Sequence, residues 1–331
     1  MPSSRRLAKI LLGLAVSAGL LVYFFWDMDL GVIAAHLRGT LWSFLALSVA
    51  LNFASMWARA WRWSYLFPPG TRPRRLYRAL LIGYMGNNLL PLRAGELVRV
   101  YVASRHGPRF WTTLATVVVE RVLDGLALGL IIAGLLLIVP VPGEVRWSIA
   151  IFLSVDLIAM VVLVTIATAP GACRVLIEVF FHRFGWLQRR LLDLLGTMTE
   201  GLRGLRTARH AIPIALGSVG IWLFFVLCVW AALRAAHLDL PLVASWTVLA
   251  FLGLGVSVPS SPGFVGIVQA ATVLALALFA VPRTEALSFS LLLHASQFIP
   301  VTAVGLLCLL LEQVSLTDAA RASSQVASSE R

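Results

Sequence analysis

Long apolar runs separated by short basic segments dominate the chain. The plainest runs lie near 10–26, 41–63, 111–138, 147–168, 212–235 and 286–312. A helix needs about 20 apolar residues to cross the hydrocarbon core of a bilayer. The strict alternation typical of membrane β-barrels is missing. The pattern predicts an all-α polytopic protein with an integral membrane domain over 1–312 and about seven transmembrane helices.

Two apolar segments, 79–105 and 243–280, are interrupted by residues that do not suit a plain span. Two amide side chains, one proline and charged residues stand in the middle of the first, and a Ser/Pro/Gly stretch stands in the second. Freed backbone groups and polar side chains cannot face lipid without partners. Both segments therefore predict re-entrant helix–break–helix hairpins. The residues expected to shape the breaks are Pro91, Gly95, Pro259, Pro262, Gly263 and Gly266.

The two breaks resemble each other. Each contains Pro-x-x-x-Gly, from Pro91 to Gly95 and from Pro259 to Gly263. The first hairpin is expected to open to the cytoplasm and the second to the outside. Two similar breaks that enter from opposite faces are typical of an inverted repeat with a binding site near the membrane midplane.

Composition and charge exclude a soluble protein. The chain is 60% hydrophobic and 13% charged, against about 45–50% and about 25% in soluble domains. Its net charge of +12 would suggest nucleic acid as a partner of a soluble protein, but here the positive residues flank apolar runs. In the expected topology Arg38, Arg146, Arg234 and Arg283 lie outside. Apart from Arg93 and Arg121 at membrane depth, the other basic residues are cytoplasmic, which predicts a bacterial inner-membrane protein with both termini inside.

Several segments outside the spans carry their own predictions. The N-terminal apolar run has no small-residue cleavage site, so it is predicted to be an uncleaved span rather than a signal peptide. Arg59, Trp61, Arg62 and Trp63 predict an interface anchor at the end of the second span. The tail 313–331 is Ala/Ser-rich and is expected to be disordered and cytoplasmic.

Segment 171–210 mixes basic residues with apolar residues at helical spacing. It predicts an amphipathic helix on the inner leaflet. The apolar residues that recur are Leu176, Phe180, Phe184, Leu187, Leu191 and Leu195.

Charged residues inside one span are candidates for function. Glu120 and Asp124 are four residues apart, and Arg121 lies three before Asp124. A charge at membrane depth costs about 2.5–3.5 kcal/mol on insertion scales, so these groups need partners or water. They form either a structural ion-pair knot that joins helices or a polar wall of a lipid-headgroup path.

The residues around the first break allow two similar interpretations. Arg93 and Arg99 either bind a phosphate headgroup or pair with Glu96, Glu120 and Asp124 inside the protein. The amides of Asn87 and Asn88 either satisfy freed backbone groups or contact the substrate.

A histidine in the last span also has two interpretations. His294 and Gln297 share a face there, and His294 is either a packing residue or a proton relay with Glu120 or Asp124.

No motif indicates a metal, a nucleotide or another cofactor, and the three cysteines are scattered. Ser260 and Ser261 could pair with His294 in a hydrolase, but no GxSxG accompanies them. A transferase that uses Glu120 and Asp124 is a further alternative. We expect a protein that is not itself an enzyme.

Three motifs resemble the lysylphosphatidylglycerol synthase transmembrane-region family of flippase-like membrane proteins. They are Asn88-Leu89-Leu90-Pro91-Leu92-Arg93-Ala94-Gly95-Glu96-Leu97-Val98-Arg99, Glu120-Arg121-Val122-Leu123-Asp124 and Pro259-Ser260-Ser261-Pro262-Gly263-Phe264-Val265-Gly266. In the third motif Phe264 replaces the family's usual second Gly, and Gln269 stands where Glu is expected. The chain resembles the membrane part alone, without the aminoacyl-transferase domain of some members.

The resemblance implies movement of lipid between leaflets, or a membrane platform for lipid-linked synthesis. The expected partner is a membrane phospholipid or another lipid-linked substrate. We predict transport of a polar, phosphate-bearing lipid. The alternative is a non-transporting scaffold that holds a lipid- or glycan-modifying enzyme at segment 171–210.

Overall fold

A computed structural model describes residues 31, 36–67, 71–90, 94–105, 109–138, 143–201, 208–256 and 262–312. All regular structure in these residues is helical, which confirms the all-α prediction. The longer helices are α1 (Trp42–Ser64), α2 (Pro73–Leu89), α3 (Gly95–Ser104), α4 (Phe110–Leu136), α5 (Gly143–Thr168), α6 (Pro170–Phe180), α7 (Gly185–Gly201), α8 (Ala208–Ala235), α9 (Leu242–Val256), α10 (Ile267–Ala277) and α11 (Arg283–Leu311).

Five of the predicted spans coincide with helices, namely α1, α4, α5, α8 and α11. Two helical stretches in the described residues, His210–Ala235 and Arg283–Leu311, are long and apolar enough on their own to cross a membrane. A third candidate is the pair Leu157–Ile166 and Pro170–Phe180, which is bent by 103°. The first predicted span, the tail 313–331, and Pro91, Arg93 and Pro259 lie outside the described residues.

The helices divide into two compact units. The first takes its described residues from Met1–Met56, Leu80–Val98 and Ile221–Ser315. Its core packs the inner face of α8 against α9, α10 and α11, with Leu233, Val248, Leu276 and Phe289 among the buried side chains. Between helices in a membrane, such side chains are held together by van der Waals packing.

Each interrupted segment has one helix before its break and another after it. The described residues of Leu80–Val98 from the first segment, and those of the second segment, belong to this unit. At the first, a Cβ on Gly86 would lie 2.8 Å from the Cα of Gly95, so α2 and α3 approach at backbone distance. At the second, a Cβ on Gly255 would lie 3.1 Å from Ile267, where α9 meets α10. The absence of side chains lets each pair close into a tight hairpin. That the hairpins are re-entrant stays a prediction.

The second unit takes its described residues from Trp57–Ala79 and Arg99–Gly220. In this unit α4 packs against α5 and α7, and α6 packs against α5 and α7. The single amphipathic helix predicted over 171–210 is wrong: α6 and α7 are separate helices joined by a turn at 181–184. Helix α5 presents Ile151, Val155 and Ile158 outward, as a lipid-facing helix does.

Candidate functional site

A buried cluster of ionised side chains forms the polar centre of the second unit. Glu120, on α4, has no exposed side-chain surface. Arg59 Nη1 donates to Glu120 Oε1 at 2.9 Å, and Arg99 Nη1 donates to Glu120 Oε2 at 3.2 Å. Arg62 Nη2 lies 3.8 Å from Glu120 Oε1. One carboxylate on α4 therefore holds guanidinium groups from α1 and α3.

Asp124 lies one turn further along α4 and binds two of the same arginines. Arg62 Nη2 donates to Asp124 Oδ1 at 2.7 Å, and Arg59 Nη1 donates to Asp124 Oδ2. The i,i+4 spacing stacks both carboxylates on one face of α4. Arg59 and Arg62 are three residues apart on α1, so their side chains also share a face.

Exposure rises from one side of the cluster to the other. Arg59, Arg62, Arg99 and Glu120 are buried, whereas the Asp124 side chain is 13% exposed and the Arg121 side chain is 44% exposed. Arg121 lies 3.7 Å from Glu120 Oε1 and 3.8 Å from Asp124 Oδ2. The cluster therefore reaches the surface of its unit at Arg121.

Neighbouring side chains fix the arginines in place. The Arg99 guanidinium stacks over the Trp63 ring at 5.1 Å. Trp63 Nε1 donates to Thr116 Oγ1 at 2.9 Å, which ties α1 to α4. A Cβ on Gly217 would lie 2.8 Å from Arg62 Cβ, so α8 comes close enough for Arg62 Nη1 to donate to Ser218 Oγ at 2.9 Å.

The prediction that Arg59 and Arg62 anchor the protein at the membrane interface is wrong. Both side chains point into the unit and bind Glu120 and Asp124. Their three-residue spacing on an apolar helix was the signal available in the sequence. A buried arginine needs a carboxylate partner, and Glu120 and Asp124 offered a matching spacing on another span.

A second group of predicted residues lies in the first unit, around the second break. Gln269 Oε1 accepts from the Gly266 amide at 2.7 Å, which leaves Gln269 Nε2 facing His294 Nδ1 at 3.1 Å. His294 Nε2 lies 2.9 Å from the carbonyl oxygen of Gly263. Because Nδ1 accepts from the amide, Nε2 carries the hydrogen and donates to Gly263. His294 is thus a neutral tautomer held by the break.

The backbone at this break is unusual. Gly263 and Gly266 have φ of 71° and 86°, and Phe264 between them has φ of 58°. Glycine adopts positive φ without a Cβ clash, whereas Phe264 is strained there. Pro262 begins the 3₁₀ turn that contains Gly263.

Residues of the first break meet the second break against α11. Asn88 Nδ2 donates to Thr302 Oγ1 at 2.8 Å, and a Cβ on Gly263 would lie 3.4 Å from the Asn88 carbonyl oxygen. Asn87 Nδ2 donates to Glu96 Oε1 at 3.4 Å, which joins α2 to α3. Gln297 does not join this group; its Nε2 lies 3.8 Å from Cys228 Sγ.

The predicted site residues therefore form two sets. Arg99, Glu120, Arg121 and Asp124 belong to the charged cluster of the second unit, while the amides, His294 and the described break residues belong to the first unit. The described residues contain no group of three His, Cys, Asp or Glu side chains that could hold a metal ion. Guanidinium groups bind phosphate oxygens as well as carboxylates. The exposed edge at Arg121 is therefore the part of the cluster that can meet an external anion.

Apolar helices, interrupted hairpins and a buried ionic cluster define a polytopic membrane protein. The family model for the lysylphosphatidylglycerol synthase TM region matches residues 10–305. The chain belongs to this family, as its motifs predicted.

A curated relative and the solved structures give further context. The chain is 29% identical over 283 residues to a protein named Glycosyltransferase AglD from Haloferax volcanii. The match covers 75% of this chain, and the chain spans 45% of that relative's length. No solved structure matches the chain.

Proposed function

We propose that this protein moves a polar, phosphate-bearing lipid between membrane leaflets. The observation that carries the proposal is the arginine cluster around Glu120 and Asp124, which is buried except at Asp124 and Arg121. The cluster contains four arginines and two carboxylates, which is more charge than is needed to join two helices by an ion pair. A buried ionic network without a role costs desolvation energy that an apolar packing would avoid.

In the proposed mechanism of transport, a lipid phosphate replaces Asp124 as the partner of the buried arginines. A phosphate that reaches Arg121 would next meet Asp124, whose oxygens hold Arg59 and Arg62. Because a guanidinium donates to carboxylate or phosphate oxygens in the same forked geometry, the headgroup would take the place of Asp124 and leave Glu120 paired. The acyl chains would stay in the bilayer while the headgroup moves along the cluster.

The proposed topology places the cluster inside the membrane. Both termini are cytoplasmic in a bacterial inner membrane, and the hairpins at 79–105 and 243–280 are re-entrant from opposite faces. Termini on one side require an even number of crossings. The six plain apolar runs of the sequence, rather than seven, are therefore the full crossings of this proposal. The excess of arginine on the cytoplasmic side supports this orientation.

The comparisons support a role in lipid or glycan modification. The family is named for the membrane region of a lipid-modifying synthase, and the relative is named as a glycosyltransferase. We propose that the region shared with them handles the lipid and is not itself the enzyme. A phospholipid or another lipid-linked substrate is then the ligand.

Lipid movement can be measured with the purified protein in liposomes that contain fluorescent phosphatidylglycerol. Reduction of outer-leaflet fluorophores by dithionite reports the exchange rate. We expect the wild-type protein to exceed protein-free liposomes, and Arg121→Gln to lower the rate about tenfold or more. The matched control is Arg75→Gln, which removes one exposed arginine from α2. Equal background rates for wild type, Arg121→Gln and the double variant Arg93→Ala/Glu120→Ala would refute transport.

A second candidate is a scaffold for a lipid- or glycan-modifying enzyme. It is favoured by the relative, in which more than half of the length lies beyond the region that this chain spans. Affinity purification from membranes should then recover a synthase whose activity falls when exposed residues of 171–210 are replaced. Recovery of such a partner together with no lipid movement would favour the scaffold.

A further inference from the structure

The hairpin of α6 and α7 divides its apolar residues between two sides. Leu195 of α7 is buried, and Leu191 and Leu187 precede it by one and two turns on the same face. Helix α7 packs against α4, α5 and α6. This inner face accounts for half of the apolar pattern that the sequence shows over 171–210. It attaches the hairpin to its unit.

The other half of the pattern faces outward, and these side chains are not buried against other described residues. Leu176, Val179 and Phe180 lie on one side of α6, and Phe180 is 72% exposed. Phe184 in the turn and Trp186 at the start of α7 are also exposed, at 64% and 65%. Water-soluble surfaces rarely expose contiguous aromatic and aliphatic residues in this way.

Exposed arginines stand close in sequence to the outward apolar residues. They are Arg174 on α6, Arg183 in the turn, and Arg189 and Arg190 on α7. The Arg190 guanidinium stacks on the Trp186 ring at 5.3 Å, and Arg174 Nε donates to Glu178 Oε1 at 2.8 Å. Aromatic residues flanked by arginines are typical of helices that lie in the headgroup region of an anionic membrane.

The direction of α6 suits the same environment. The Leu157–Ile166 part of α5 and helix α6 meet at 103°. Helix α5 exposes apolar side chains along its length, including Ile158 and Val161. If α5 crosses the bilayer with an ordinary tilt of about 20°, α6 runs close to the membrane plane.

We propose that the outward face of α6 and α7 is a docking surface for anionic phospholipid headgroups of the cytoplasmic leaflet. Phe180, Phe184 and Trp186 enter the acyl boundary, while Arg183, Arg189 and Arg190 bind phosphate groups. A basic residue near an anionic surface contributes about 1 kcal/mol. This inference does not depend on whether the protein moves lipid.

Spin-label depth measurements on the full chain test the surface. A label at Phe180→Cys, in a background with Cys173, Cys228 and Cys308 replaced, is compared in phosphatidylglycerol-containing and pure phosphatidylcholine liposomes. We expect high oxygen access and low access to a water-soluble nickel reagent only with the anionic lipid. A label at Asp239→Cys, which lies between α8 and α9 with its side chain 79% exposed, should stay accessible to nickel in both.

Removal of positive charge tests whether docking depends on the arginines or only on apolar contact with the membrane. Arg189→Gln/Arg190→Gln should shift the Phe180 label toward water about 30-fold in the docking equilibrium, the factor expected for two such charges. Arg234→Gln, which removes a charge outside the hairpin, should change nothing. A Phe180 label that is equally open to nickel in both liposomes overturns the proposal, as does insertion that ignores lipid charge.

Hydrogen exchange of the unlabelled wild-type protein in nanodiscs provides a measurement without cysteine replacement. Amides of α6 should exchange more slowly when phosphatidylglycerol is present. Exchange that slows only after a soluble partner protein is added would show that this face binds protein instead. Because lipid movement is assayed separately, loss of docking with normal transport distinguishes this inference from the proposed function.

Discussion

Arg59 and Glu120, 61 positions apart in the chain, form a buried ion pair with 2.9 Å between Nη1 and Oε1. The same Nη1 also donates to Asp124, so one guanidinium connects α1 to two turns of α4. This bridge makes the position of α4 relative to α1 depend on charge pairing. The stability of the second unit should therefore respond strongly to neutral substitutions in the cluster.

Glu120→Gln should destabilise the protein by about 3–5 kcal/mol. The change removes the negative charge that holds Arg59 and Arg99 and leaves buried cations without compensation. Unfolding in a denaturing detergent titration measures the effect. Glu178→Gln is the control, because Glu178 pairs only with the exposed Arg174 among the contacts described. A midpoint for Glu120→Gln equal to that of the control would contradict a stabilising cluster.

Variants of Arg121 and Arg62 should distinguish an effect on lipid movement from an effect on stability. Arg121 is half-exposed, so Arg121→Gln should change the free energy of unfolding by no more than about 1 kcal/mol. Arg62 is fully buried and binds Asp124 and Ser218, so Arg62→Gln should destabilise the protein several times more. The unfolding titration and the liposome assay are run on the same preparations. Equal destabilisation by both variants would show that the burial of each arginine does not determine its contribution to the free energy of unfolding.

Gly95→Ala should disrupt the hairpin of α2 and α3. A Cβ there would overlap the Gly83 carbonyl oxygen and the Asn87 amide nitrogen, which are backbone atoms that cannot rotate away. Overpacking of this kind costs about 1–3 kcal/mol. Gly134→Ala is the matched control, since a Cβ at Gly134 meets nothing within 4 Å. Comparable thermal stability of the two variants in detergent would argue against close packing at the first break.

Gln269 and His294 should behave as one unit. Gln269→Ala removes the acceptor for the Gly266 amide and the donor to His294, while His294→Ala frees the Gly263 carbonyl. Each change should cost about 1–3 kcal/mol. The double variant should cost about 1 kcal/mol less than the sum of the single variants, because the two residues share a bond. Strict additivity in the unfolding titration would show that the network is not coupled.

The sequence determined the class of protein and the location of its helices. Length and hydropathy of the apolar runs place α1, α4, α5, α8 and α11 to within a few residues, because a membrane helix must satisfy its own backbone groups. The breaks near Asn88 and Gly263 could also be predicted, because proline, glycine and amides interrupt an otherwise uniform apolar pattern.

Only the tertiary structure decided which charges meet. Periodicity places Arg59 and Arg62 on one face of α1 but does not say whether that face meets lipid headgroups or Glu120, because helix rotation and packing depend on contacts far apart in the chain. The same holds for α6 and α7, where Leu195 turns inward while Phe180 faces out. Local pattern fixes the helices, and the long-range pairing of buried charges fixes which of their faces come together.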